Sequence, residues 1–101
     1  MNWEFVCDLE DIPARGARTV IAGKMEIGLF RISNGTVRAV ENRCPHKQGP
    51  LAEGIVSGEL VICPLHGWKI NMPDGQVQPP DAGCVKVFAT RIEDGKVFLQ
   101  A

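Results

Sequence analysis

The chain has 101 residues, Lys+Arg 11 against Asp+Glu 12, a formal net charge of −1 and 45% hydrophobic residues. That length suits one domain over residues 1–101 with a modest core. The balanced charge offers no basic face for nucleic acid and no charged tail, and no apolar run approaches the roughly 18 residues of a membrane span.

Glycine 11 and proline 7 punctuate short runs of valine, isoleucine and phenylalanine, the pattern of an all-β fold with frequent turns. The opening MNWEFVCDLEDIP is acidic and lacks the cationic start of a secretory signal, so a cytoplasmic protein is expected. Within it Trp3–Cys7 reads as a strand, and the DLEDIP that follows as a loop. Arg18–Ala22 and Met25–Ile32 read as the next two strands, parted at Gly23. Asn34-Gly35 is a two-residue hairpin signal, since both central positions of a type I′ turn need positive φ. Thr36–Glu41 then returns antiparallel. Gly54–Val56 and Glu59–Ile62 bracket a turn at Ser57-Gly58, and Trp68–Asn71 leads into the turn Pro73-Asp74-Gly75-Gln76. Val85–Ile92, the turn Asp94-Gly95 and Lys96–Gln100 form a closing hairpin. No convincing helix is predicted; Leu51–Gly54 has room for one turn at most. Residues from about 42 to 78 are expected to form a small β subdomain on a larger β body.

That subdomain carries the chemistry. Its segments CPHKQGP and CPLHGW give the pattern C-x-H-x16-C-x2-H through Cys44, His46, Cys63 and His66. Thiolate and imidazole are ligands for iron–sulfur clusters and for zinc. Proline after each cysteine and glycine behind each pair predict two tight loops able to aim four side chains at one point. The two histidines of the chain are both in this pattern, leaving none for a general base or a Ser–His pair. The acidic residues, among them Glu4, Asp8, Glu10, Asp11 and Glu26, are scattered and read as solvated surface. No catalytic residue is assigned. Cys7 and Cys84 lie outside the pattern and read as small buried hydrophobes in strands. Trp3 and Trp68 read as core, and Lys47 and Lys69 as solvated residues flanking the loops.

One cysteine and one histidine from each loop resembles the Rieske [2Fe–2S] family, in which two cysteines hold one iron and two histidines the other. The resemblance implies an antiparallel β-sandwich whose small subdomain carries two cluster-binding loops. It assigns Cys44 and Cys63 to one iron and His46 and His66 to the other. High-potential members of the family are similar to C-x-H-x-x-C and C-x-C-H-G-S, with a disulfide between the loops and a serine hydroxyl near a sulfur. Gly49, Leu65 and Trp68 stand at those positions here, and the chain has no tyrosine. Fewer hydrogen bonds to sulfur imply a midpoint near the low end of the Rieske range, roughly −150 mV.

Beyond the ligands, DIPARGARTV, CPHKQGPLAEGIVSG, CPLHGWKINMPDGQ and GCVKVFATRIEDGKVFL look like the small subunit of NAD(P)H-dependent assimilatory nitrite reductase. That resemblance implies a one-electron component of an oxidoreductase, bound to a large subunit that carries FAD, an iron–sulfur cluster and sirohaem and reduces nitrite to ammonium with NAD(P)H. No flavin, sirohaem or nucleotide motif occurs in this chain, so no substrate site is expected in it. Two other readings share the ligand loops: the ferredoxin of a ring-hydroxylating dioxygenase, and a zinc-stabilised interaction module.

Overall fold

In the computed structural model, residues 3–32, 35–45, 49–65 and 67–100 are described. His46, Lys47, His66 and Asn34 lie outside the described residues. Among the described residues nine strands follow in chain order: β1 Glu4–Asp8, β2 Ala17–Ala22, β3 Met25–Arg31, β4 Val37–Glu41, β5 Ile55–Ser57, β6 Leu60–Ile62, β7 Lys69–Asn71, β8 Val87–Glu93 and β9 Lys96–Gln100. Two single 3-10 turns, Leu9–Asp11 and Leu51–Glu53, complete the regular structure, and no α-helix occurs among the described residues. The first of these turns falls in DLEDIP, where the sequence predicts loop; the second falls in Leu51–Gly54, the segment with room for one turn at most.

The strands form two sheets. Six strands run β1-β9-β8-β4-β3-β2 and three run β5-β6-β7, with every pairing antiparallel. β8 belongs to two ladders. Val87 pairs with Val40 of β4, whereas Ala89 to Glu93 pair along β9. The large sheet therefore folds over on itself along β8. Between its halves lie Ile27, Leu29, Val37 and Ala39 from β3 and β4, facing Cys7, Val97 and Leu99 from β1 and β9.

A second core lies on the other side of β3 and β4. Phe30, Ile32 and Val40 pack there against Val61, Ile70 and Met72 of the three-stranded sheet region, with Leu51, Val77 and Val85. Strands covered on both faces need apolar residues on both, which is why Ile27 to Phe30 form an unbroken buried run. The hairpin at Asp94-Gly95 has φ of 51° and 72° at its two central residues, the positive pair a type I′ turn requires.

Two expectations about burial are corrected here. Trp3 is 36% exposed rather than core: it sits just before the edge strand β1, with the Arg91 guanidinium 6.0 Å from its ring centroid. Cys84 is exposed rather than buried, because it lies before β8 outside both sheets, paired with Gln76 in an isolated bridge.

Candidate metal centre

Strands of different sheets deliver the two cysteine loops. β4 of the large sheet ends at Glu41, and three residues later the chain reaches Cys44. β6 of the small sheet ends at Ile62, immediately before Cys63. Both cysteines are buried, at 0% and 2% exposure, in the same apolar cluster as Leu51, Val61 and Ile70. Each loop closes through main-chain bonds. The Cys44 N–H donates to the Gly49 carbonyl at 2.9 Å, the Cys63 N–H to the Trp68 carbonyl at 2.8 Å, and the Gly67 N–H to the Cys63 carbonyl at 3.1 Å.

The loops meet at Gly49. A Cβ placed there would fall 2.8 Å from Leu65 Cδ1 and 3.3 Å from Cys63 Sγ, so a side chain at this position would have to push the exposed Leu65 side chain aside and crowd Cys63. Gly49, whose carbonyl accepts from the Cys44 N–H, is thus the point at which the two segments come together. His46 and His66, the other two expected ligands, lie outside the described residues. A third segment backs the first loop: a Cβ on Gly83 would lie 3.3 Å from Pro45. Beside the second loop, Gly67, Lys69, Gln78, Pro79, Pro80 and Asp81 line a cleft of about 120 Å³.

The remaining cysteines stand apart chemically. Cys7 belongs to the core inside the folded large sheet, away from the cluster that holds Cys44 and Cys63. Burial pushes its thiol above the usual range, with Arg18 opposing that rise and Asp11 and Asp8 adding to it. A thiol held protonated in an apolar core is a poor ligand. Exposed Cys84 and buried Cys7 both read as bystanders. Trp68 is half-buried and packs against the ligand-side core as expected, while Lys69 is exposed beside the second loop.

Two polar interactions brace the site that the sequence reading missed. Arg38 of β4 makes a two-pronged bond to Glu59, Nε to Oε1 at 3.0 Å and Nη2 to Oε2 at 2.9 Å, tying the large sheet to the turn before β6. That hydrogen bond, opposed in part by burial, holds the Glu59 carboxyl below the usual range and the Arg38 guanidinium above its own. Asn42 bonds Glu26 and Ala52 around the first loop. Neither could be read from the sequence, because their partners lie 10 to 21 residues away with no local pattern.

The donor set suits a mixed sulfur–nitrogen centre. Two buried thiols in an apolar floor, on loops that touch, provide the dry and rigid half that a binuclear iron site needs. Among the described residues no helix is long and apolar enough to cross a membrane.

Comparisons agree with that chemistry. A family profile for the Rieske [2Fe-2S] domain matches residues 2–89. The 4beta-methylsterol monooxygenase of Methylococcus capsulatus is 38% identical over 71 residues, 69% of this chain, and the chain spans 19% of that relative's length. The ferredoxin component of the naphthalene 1,2-dioxygenase/salicylate 5-hydroxylase systems of Ralstonia sp is 28% identical over 98% of this chain and 95% of its own length. A crystal structure named for a nitrite reductase NADPH small subunit superposes with a TM-score of 0.89 at 26% identity, covering 100% of both chains. With two buried cysteines where the ligand loops meet, on an all-β frame that such proteins share, the chain belongs to the Rieske [2Fe-2S] domain family.

Proposed function

We propose that this chain is the electron-transfer small subunit of an NAD(P)H-dependent nitrite reductase, a single Rieske domain whose cluster subdomain covers about residues 42–78. In this reading Cys44 and Cys63 hold one iron and His46 and His66 the other, in a cytoplasmic complex. The observation that carries it is the end-to-end similarity to a structure bearing that small subunit's name, over 100% of both chains. The segments DIPARGARTV and GCVKVFATRIEDGKVFL, outside the ligand loops, support the same reading.

When bound, a Rieske centre supplies reversible storage of one electron. The chain's own residues provide its setting. Cys44 and Cys63 would give up their thiol protons on binding, and Leu51, Val61 and Ile70 keep water from that side. Leu65, 52% exposed, and the exposed Pro45, Pro64 and Lys69 form the outer surface of the loops, across which an electron would pass to a partner. FAD, sirohaem, NAD(P)H and nitrite belong to the large subunit, so this chain alone would not turn over nitrite.

A second reading is favoured by the 28% identity to a dioxygenase ferredoxin over nearly all of both chains. Purification of the tagged chain from its native cells separates the two. A large partner with sirohaem absorption is expected. A flavin reductase and a terminal oxygenase in its place would overturn the nitrite reductase reading in favour of the second.

A further inference from the structure

Among the described residues, Asn42 is the only polar or charged residue that the cores bury, at 7% exposure. A buried amide is costly unless its donor and acceptor are both used, and here they are. The side-chain Nδ2 donates to Glu26 Oε2 at 2.5 Å, and Oδ1 accepts from the Ala52 N–H at 2.6 Å. The Asn42 main-chain N–H also donates to the Glu26 carbonyl at 2.9 Å.

Ala52 lies in the 3-10 turn Leu51–Glu53, whose N-cap residue is Pro50. Proline has no side-chain acceptor, so an early N–H of that turn lacks the local partner that serine or aspartate would give. Asn42 supplies it from ten residues upstream. The bond joins the two segments of chain that enter and leave the first ligand loop, with Cys44 and Gly49 inside the closed neck. Leu51, next to the bonded amide, is fully buried in the core that holds Cys44 and Cys63. Through Glu26 the same side chain fixes that neck to β3 of the large sheet.

We propose that Asn42 is a positioning residue for the cluster: by clamping Ala52 and Glu26 it sets where Cys44 stands relative to Cys63. It thereby tunes the potential and electronic asymmetry of the bound centre. This rests on the Rieske reading above. Ligand placement governs the electronics of a metal centre, and groups that bond the ligand-bearing segments carry much of that control.

The test uses anaerobically prepared holoprotein: wild type, N42A, N42D and the double variant N42D/E26Q. Thr90→Val is the control. It removes another partly buried bond, Thr90 Oγ1 to the Val37 carbonyl at 2.6 Å, made between strands of the large sheet. Reduction potential and the reduced-state EPR g-values are read alongside thermal stability and exchange of the Ala52 amide. N42A is expected to shift potential and g-values and to speed Ala52 exchange roughly tenfold, the loss of one hydrogen bond. T90V is expected to lower the melting temperature and leave potential and g-values in place. N42D sets a carboxylate against Glu26. In N42D/E26Q the amide and the carboxylate trade places at constant charge. The side-chain amide introduced at position 26 can then donate to the carboxylate introduced at position 42, which still accepts from the Ala52 N–H. That double variant is expected to return the wild-type g-values, and it decides the matter should N42A fail to fold. Unchanged g-values and potential in a folded N42A, or a double variant no nearer wild type than N42D, would overturn the inference. A wild-type sample with no cluster signal would instead sink the Rieske reading beneath it.

Discussion

At Gly49 the absence of a side chain matters more than any side chain nearby. Leu65 lies over it, and Cys63 Sγ is within 3.3 Å of where a Cβ would stand. Gly49→Val should turn the half-exposed Leu65 outward and crowd Cys63, costing about 1 kcal/mol, the low end of overpacking. Thermal melts of the apo chain check that cost, and iron content after anaerobic reconstitution should fall well below wild type. Full iron content with an unchanged melt would show that the two loops do not meet there. The tight loops at Cys44 and Cys63 were legible in the sequence, since proline and glycine mark both turns. Asn42 was not, because an asparagine before a loop usually makes a local bond and this one bonds at long range. Trp3 misled because it falls one residue before β1, outside the ladder that would turn it toward a core.

Strands β3 and β4 are the element on which both cores depend. Phe30 is fully buried on the ligand side, whereas Ile21 on the edge strand β2 is 74% exposed. Phe30→Ala should cost about 3–5 kcal/mol, and Ile21→Ser should stay within about 0.5 kcal/mol; urea unfolding of both variants checks the contrast. The Arg38–Glu59 pair links the sheets but is partly exposed, at 34% and 40%, so it is worth at most about 1 kcal/mol. Its pH dependence has a definite sign. Glu59 has its pKa lowered by the Arg38 bond, so its contribution is complete above the unfolded-state pKa and fades as pH falls through the lower folded one. The small stability gap between wild type and Glu59→Gln should therefore be present at neutral pH and vanish in strong acid. A gap that widens on acidification would contradict the pairing. The strands themselves were largely readable from alternation and turn residues, with ends displaced by a residue or two. How β8 is shared between two ladders was not, because pairing partners are set by packing of the whole sheet.

On the scale of the molecule, the fold brings one loop from each sheet to a common apolar floor and leaves their outer surfaces exposed through Leu65, Pro64 and Pro45. Leu65 packs over Gly49, with no cysteine at either position, and the chain has no tyrosine. A redox titration should accordingly give a midpoint near the low end of the Rieske range, roughly −150 mV. A value above zero would mean that other donors reach the cluster. The most direct test of the whole account is metal and acid-labile sulfide analysis of anaerobically purified protein, with an EPR spectrum after reduction. About two irons and two sulfides per chain, with a reduced-state signal, are the predicted result. One zinc, no sulfide and no signal would contradict it.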